Sequence, residues 1–200
     1  ELFMRFPGIG PKQAKRFVYF LLREHFHFKE QLINALQELK HTGKQCEKCF
    51  SFFGDKDLDN PKTKCRICSD NDRESKILMI VEKELDLDAI EKTGSYNGQY
   101  FILGAVLPPL TEKPSEIIRI RELTSRIYND IQDNNLEEII FALPVTDYGD
   151  ITKEYLEKTL GQIVGIKNIK MSSLARGLSS GLELEYVDKD TFKSALERRN

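Results

Sequence analysis

Cys46-Glu-Lys-Cys49 and Cys65-Arg-Ile-Cys68 are two CxxC pairs with fifteen residues between them. This spacing follows the rule for a four-thiolate zinc site. In each pair the two-residue spacer brings both sulfurs to one side of a tight turn. Two such turns facing each other supply four ligands at tetrahedral corners, the geometry that Zn²⁺ takes. Four protein ligands leave no open position for water, so the expected Zn²⁺ is structural. A pair of disulfides is the other arrangement, but it belongs to oxidising compartments, and nothing in the chain reads as secreted. The chain has no further cysteine to compete for the metal. His41 lies close by, but a four-thiolate set does not need it. Between the pairs, Asp55-Lys-Asp-Leu-Asp-Asn-Pro61 is too polar to build a core. The metal is therefore expected to hold this segment, with an apparent ~10–16 kcal/mol typical of small zinc modules.

Outward from this centre, charge divides the chain. Residues 1–45 carry eight Lys/Arg against four Asp/Glu, a balance of +4. Residues 46–76 carry seven of each, and residues 77–200 carry fifteen against twenty-one, a balance of −6. A basic front and an acidic rear point to a polyanion touching the front. The 200 residues are 40% apolar and 31% charged, the composition of a globular protein with small modules attached. No apolar run approaches the roughly 18 residues a membrane span requires, so no membrane partner and a cytoplasmic location are expected. The chain opens on Glu1-Leu-Phe-Met, neither a signal peptide nor a natural initiator, and some N-terminal sequence is expected to precede it.

In the basic front, Phe6-Pro-Gly-Ile-Gly10-Pro-Lys-Gln-Ala-Lys-Arg16 sets Gly8 and Gly10 in a tight turn. Pro11 fits the first turn of a helix, where its missing N–H costs nothing. Ala14, Phe17, Val18, Leu21 and Leu22 share one face of that helix, and Lys12, Lys15, Arg16 and Arg23 fall largely elsewhere. Free N–H groups at such a turn bind phosphate, and the cations add sequence-blind attraction to a nucleic-acid backbone. The bland counterpart is a helix–helix turn with a solvated basic face. A second helix is expected from about Lys29 to His41, packed on the first through Leu32, Ile33, Leu36 and Leu39. His25 and His27 read as exposed or capping residues.

In the acidic rear, short apolar runs alternate with helical patterns. Strands are expected at 77–81, 100–103, 138–143 and 168–174. Helices are expected at about 86–92, 115–132, 152–164 and 190–199. The alternation indicates an α/β domain with a mainly parallel sheet. Ligands of such sheets gather beyond the carboxyl ends of the strands. There the chain places Glu82, Asp86 and Asp88 after one strand and Asp147 and Asp150 after another. Carboxylates converging at that end are suited to Mg²⁺, whereas Asp86 and Asp150 also suit helix N-capping. Gly94-Ser-Tyr-Asn-Gly98 reads as a turn-rich loop without chemistry of its own.

These pieces, in order, resemble the bacterial RecR family of recombination mediators. The resemblance rests on the hairpin at 7–16, the CxxC pairs and Val81-Glu82 followed by Asp86-Leu-Asp-Ala-Ile-Glu91. It also rests on Thr93-Gly-Ser-Tyr-Asn-Gly-Gln-Tyr100, Leu174-Ala-Arg-Gly177 and Gly181-Leu-Glu-Leu-Glu-Tyr-Val-Asp188. It implies a helix-hairpin-helix module over 1–45 and a C4 zinc finger over 46–70. It further implies a Toprim-type mainly parallel sheet flanked by helices over 76–176, and a Walker-B-like segment with a helix over 177–200. It implies a non-catalytic, DNA-binding homotetramer in DNA repair. That protein works with RecO- and RecF-type partners to load RecA on gapped single-stranded DNA. Lys12 and Arg16 match the family's DNA-contacting positions, with Lys15, Gly8 and Gly10 beside them. Glu82, Asp86 and Asp150 match its Toprim acids and partner surface.

One stretch departs from the pattern. Where the family usually shows Asn-Pro-Thr-Val-Glu-Gly-Glu, this chain has Pro144-Val-Thr-Asp-Tyr-Gly-Asp150. The competing expectation is a Mg²⁺-dependent Toprim enzyme such as a nuclease or primase. Those enzymes pair a glutamate with a DxD, and here the later strand offers Asp147-Tyr-Gly-Asp150 instead. A zinc-bearing scaffold that binds only protein is a third expectation.

Overall fold

The computed structural model describes residues 1–57, 60–133, 136–164 and 168–174. The chain forms two compact units, one of Glu1–Lys44 with Phe53–Pro61 and one of Gln45–Phe52 with the described residues from Lys62 onward.

The first unit is helical. A 3-10 turn, Leu2–Arg5, precedes helix α1 (Pro11–Arg23), and α2 (Phe26–Thr42) follows. His25 is the α2 N-cap, its Nδ1 accepting the His27 N–H at 3.3 Å. Two expectations need correction here. Helix α2 begins three residues before Lys29, because His25 caps it. Its apolar residues also do not pack down as a hairpin core: Ile33, Leu36 and Leu39 remain 54%, 58% and 66% exposed. The helices meet through the edge-to-face pair Phe20–Phe28, 5.7 Å between centroids. Within this unit Lys44 pairs with the buried Asp55 at 3.1 Å.

Strands β1 (Gly43–Gln45) and β2 (Phe52–Gly54) form a two-stranded ribbon. The second unit holds α3 (Arg66–Ser69), β3 (Glu74–Val81), α4 (Glu84–Thr93), β4 (Gly98–Ile102), α5 (Pro114–Ile117) and α6 (Ile120–Asp133). Strand β5 (Glu138–Ala142), α7 (Asp147–Val164) and β6 (Lys170–Ser173) complete it. The sheet runs β4-β3-β5-β6, and every described pairing is parallel. The central strand β3 ends in Leu78-Met-Ile-Val81, buried on both faces, as parallel strands between helices must be. The core joins Leu78, Ile80 and Phe101 of the sheet to Leu123 and Ile127 of α6 and Leu156 and Leu160 of α7.

The helix expected over 115–132 is broken. Ile118 is extended at φ −117°, ψ 154°, which lets the Arg119 N–H reach the Leu103 carbonyl at 3.1 Å. The Arg119 Nη1 donates to the Ile102 carbonyl at 2.9 Å. Arg119 thus finishes the end of β4, and a continuous helix would forgo both bonds. Helix α7 starts five residues earlier than expected, because the Thr146 hydroxyl accepts the Gly149 N–H. The Gly94 closure of α4 is as expected, at φ 63°. The Ser95–Gly98 loop is more than a turn. The Tyr96 hydroxyl lies within bonding distance of the Ile77 and Gln99 carbonyls, at 3.1 and 2.9 Å. Glu91 bridges Arg73 and the Tyr100 hydroxyl. The expected helix at 190–199 lies outside the described residues.

Two glycines of α7 should respond oppositely to alanine. A Cβ on Gly149 would lie 1.9 Å from the Pro144 carbonyl oxygen, whereas one on Gly161 meets nothing within 4 Å. In thermal unfolding Gly149→Ala is expected to destabilise by roughly 2 kcal/mol or more, and Gly161→Ala to stabilise by up to about 1 kcal/mol.

Candidate metal centre and nucleic-acid surface

Backbone hydrogen bonds pre-form both cysteine turns. The Phe50 N–H bonds the Cys46 carbonyl and the Cys46 N–H bonds the Ser51 carbonyl, both at 2.9 Å. The Glu47 N–H reaches the Thr63 carbonyl at 3.0 Å, tying the first turn to the approach of the second. Cys65 is the N-cap of α3, and Cys68 sits within that helix. All four cysteines are buried and free of disulfides. Their sulfurs lie within 4.8 Å of one another, with Cys49 and Cys65 at 3.5 Å. Zn–S bonds of ~2.3 Å at tetrahedral angles place sulfurs roughly 3.8 Å apart, so the cluster fits a metal. The crowded sulfurs share protons: Cys49 first, then Cys65 and Cys68, hold the Cys46 thiol below its usual range, while neighbouring sulfurs, Cys46 first, push Cys49 and Cys68 up.

The centre is docked on the sheet. The Ile102 N–H donates to the Cys49 carbonyl at 2.9 Å, so the first turn covers edge strand β4. Phe50 takes φ 67°, a left-handed backbone that costs roughly 1–2 kcal/mol for a non-glycine residue. Its ring packs edge-on against Phe101 at 5.4 Å, and the Arg119 guanidinium lies over the Phe50 ring, also 5.4 Å from its centroid. From α6, Arg126 donates through Nη1 to the Lys48 carbonyl at 2.7 Å and through Nε to Asp130 at 2.6 Å. Its Nη2 is buried without a hydrogen-bond partner, an arrangement that costs about 1–3 kcal/mol. Sequence reading did not find Arg119 or Arg126. Each acts across more than fifty residues or at a helix break, and no local spacing signals that.

The glycine hairpin is built as its residue types suggest. Gly8 has φ 76°, Gly10 is the N-cap of α1, and Pro11 occupies its first turn. Ala14 is buried, while Lys12, Lys15 and Arg16 are exposed. The first turn of α1 holds no acid. Among the described residues, the Lys12 and Gln13 N–H groups have no backbone acceptor. Phe17 packs on Phe3 of the 3-10 turn, 5.6 Å between ring centroids.

The acids at the strand ends divide by role. The Asp86 carboxylate accepts the Lys83 N–H at 3.1 Å, capping α4. Asp147 and Asp150 lie in the first turn of α7, and Tyr148 is 47% exposed beside them. The Glu82 side chain is 19% exposed, 3.8 Å from the Lys83 Nζ. Among the described residues only the cysteines bring three or more metal-ligand atoms together. Among the described residues, no three of Glu82, Asp86, Asp88, Asp147 and Asp150 bring ligand oxygens within 4.8 Å of one another. No helix among the described residues is long and apolar enough to cross a membrane. The Walker-B-like segment lies outside the described residues.

Comparison with known proteins places this geometry. The Toprim domain family matches residues 76–173, which run from β3 to β6. A recombination protein RecR of Chloroherpeton thalassium is 35% identical over 198 residues, covering 99% of this chain and 92% of the relative. That of Herpetosiphon aurantiacus is 36% identical over 197 residues, covering 98% and 89%. That of Bdellovibrio bacteriovorus is 34% identical over 197 residues, covering 98% and 91%. Similarity at this level runs through the hairpin, the cysteine centre and the parallel sheet, and the chain belongs to the RecR family of recombination proteins.

Proposed function

We propose that this protein is a non-catalytic, DNA-binding mediator of recombinational repair. It grips gapped DNA at single-strand–duplex junctions through the hairpin of α1. The observation that carries this reading is the cationic surface at that hairpin, which has no ion-pair partner among the described residues. Lys12 and Lys15 are exposed beside free first-turn N–H groups, with no acid in that turn to oppose a phosphate. Gly8 and Gly10 put no Cβ in the way of a phosphate, and the space beside each is open, with nothing within 4 Å of where a Cβ would sit. Arg16 adds a second-turn contact.

The protein works as a homotetramer in the cytoplasm, at the nucleoid. RecO- and RecF-type proteins are its partners, and loading of RecA is the outcome. Glu82, Asp86 and Asp150 form the partner-facing acidic end of the sheet. The metal is Zn²⁺, for which four thiolates are the preferred donor set. When bound it supplies a fixed tetrahedral anchor and no chemistry. Mg²⁺ has no part in this reading, because Asp86 is engaged in capping α4.

Two outcomes are expected. Replacing Lys12 and Arg16 with alanine removes two phosphate contacts. In titrations of a gapped duplex, the log–log salt slope should flatten by roughly 2, and the affinity loss should be similar across sequences. An unchanged slope removes the hairpin from the DNA surface. Stripping the metal with a chelator under reducing conditions is expected to release about one equivalent of zinc per chain. It should also raise amide exchange at Ile102, whose acceptor belongs to the cysteine turn. Protein that is reduced, folded and metal-free excludes the zinc assignment.

A further inference from the structure

Helix α1 carries Lys12, Lys15, Arg16 and Arg23 and no acid. With Tyr19 these residues stand at i, i+3, i+4, i+7 and i+11, positions that share one face of a helix. All five are exposed. The burial of α1 lies on the other side, at Ala14, with Phe17 and Leu21 half-buried beside it. Tyr19, in the middle of the cationic ridge, is 60% exposed. It makes no ring contact among the described residues, whereas Phe17 packs on Phe3 and Phe20 on Phe28. No guanidinium lies over it either. Along the axis Tyr19 stands about 10 Å beyond Lys12, and Arg23 a further ~6 Å.

We infer that Tyr19 is a stacking platform for an unpaired base, so that α1 holds the single strand beside a junction. The inference rests on the hairpin reading given above and extends it along the helix. A bare aromatic ring between cations matches a ligand that offers negative charge and flat apolar faces together, and a nucleic-acid strand offers both at every nucleotide. In a duplex each base face is covered by the next base pair, so the cations alone are engaged. In a single strand a base face is free, and stacking on an aromatic side chain needs no particular sequence. Lys12 and Lys15 then serve phosphates at the hairpin, and Arg23 serves a phosphate on the far side of the stacked base.

The chain contains no tryptophan, so Tyr19→Trp in the full chain introduces a single fluorescent reporter. Saturable quenching of its emission by oligothymidylate is expected, with little quenching by a blunt duplex of equal length. A strand of the same length whose sugars carry no bases should bind without quenching. Tyr19→Ala should weaken oligothymidylate binding about tenfold and leave the log–log salt slope unchanged, because no phosphate contact is lost. Tyr19→Phe should bind as the wild type does. Undiminished binding by Tyr19→Ala, or an equal loss on oligothymidylate and blunt duplex, overturns the inference. So does emission that shifts with protein concentration and not with oligothymidylate, which assigns the face to contact between copies of the chain. If Lys12→Ala/Arg16→Ala flattens the slope while Tyr19→Ala changes nothing, the hairpin reading stands and the platform alone falls. If neither variant changes binding, both fall.

Discussion

One backbone hydrogen bond, from the Ile102 N–H to the Cys49 carbonyl, joins the cysteine centre to the sheet. Strand β4 is an edge strand, and an edge strand exposes unpaired N–H and C=O groups that invite wrong pairing. Here Tyr100, Phe101 and Ile102 are fully buried, so the edge is covered. The cysteine turn that covers it is shaped by its own backbone hydrogen bonds and by the gathering of four sulfurs. Beyond Ile102 the chain continues to bond the sheet, Leu103 N–H to the Val81 carbonyl and Gly104 N–H to the Glu82 carbonyl, each at 2.8 Å. The cysteine centre is therefore linked through β4 to the backbone of Glu82, at the end where ligands of parallel sheets collect. It acts as part of the sheet's frame, although the cysteines lie before β3 in sequence.

Two strained or interrupted positions follow from that docking. Phe50 holds a left-handed backbone because the turn that positions Cys46 and Cys49 requires it, and its ring is then placed on Phe101. The cost is offset by aromatic burial and by the Arg119 guanidinium over the ring. Arg119 can reach that place only because the helix breaks at Ile118. It fits because the next chain segment is Gly104, at φ 99°. A Cβ there would sit 2.9 Å from the guanidinium nitrogen. Three features that look unrelated in sequence thus satisfy one another in space: a glycine after a strand, a helix break and an aromatic after a CxxC.

What the sequence made legible was local. The CxxC spacing, the glycine hairpin with Pro11 and the apolar runs of parallel strands each write their structure within a few residues, and each is found where it was read. The break at Ile118 was hidden because Ile117, Ile120, Leu123 and Ile127 keep a helical period across it. The reason for the break lies fifteen residues away, at the end of β4. The early start of α7 was hidden because Thr146 follows Pro144-Val145, which reads as loop. Helix α2 misled for a different reason. Its Leu32, Ile33, Leu36 and Leu39 carry the period of a buried face, yet remain exposed within their unit. Periodicity reports that a face is apolar and says nothing of what covers it. Arg126 carried no signal, since a single arginine in a helix is ordinarily solvated.

The acids at the strand ends can now be separated by whether the fold accounts for them. Asp86 caps α4. Asp147 and Asp150 sit in the first turn of α7, where a carboxylate is favoured by the helix dipole. The altered spacing of this pair is therefore what a helix beginning at Asp147 asks for, and Tyr148 between them projects outward. Glu82 has no such explanation. It ends the central strand, caps no helix, and is four-fifths buried beside Lys83 at 3.8 Å. Burying most of a carboxylate is unfavourable unless it is paired, and among the described residues the Lys83 ammonium is the cation beside it. Glu82 thus differs from Asp86, Asp147 and Asp150 in that no helix end accounts for it among the described residues.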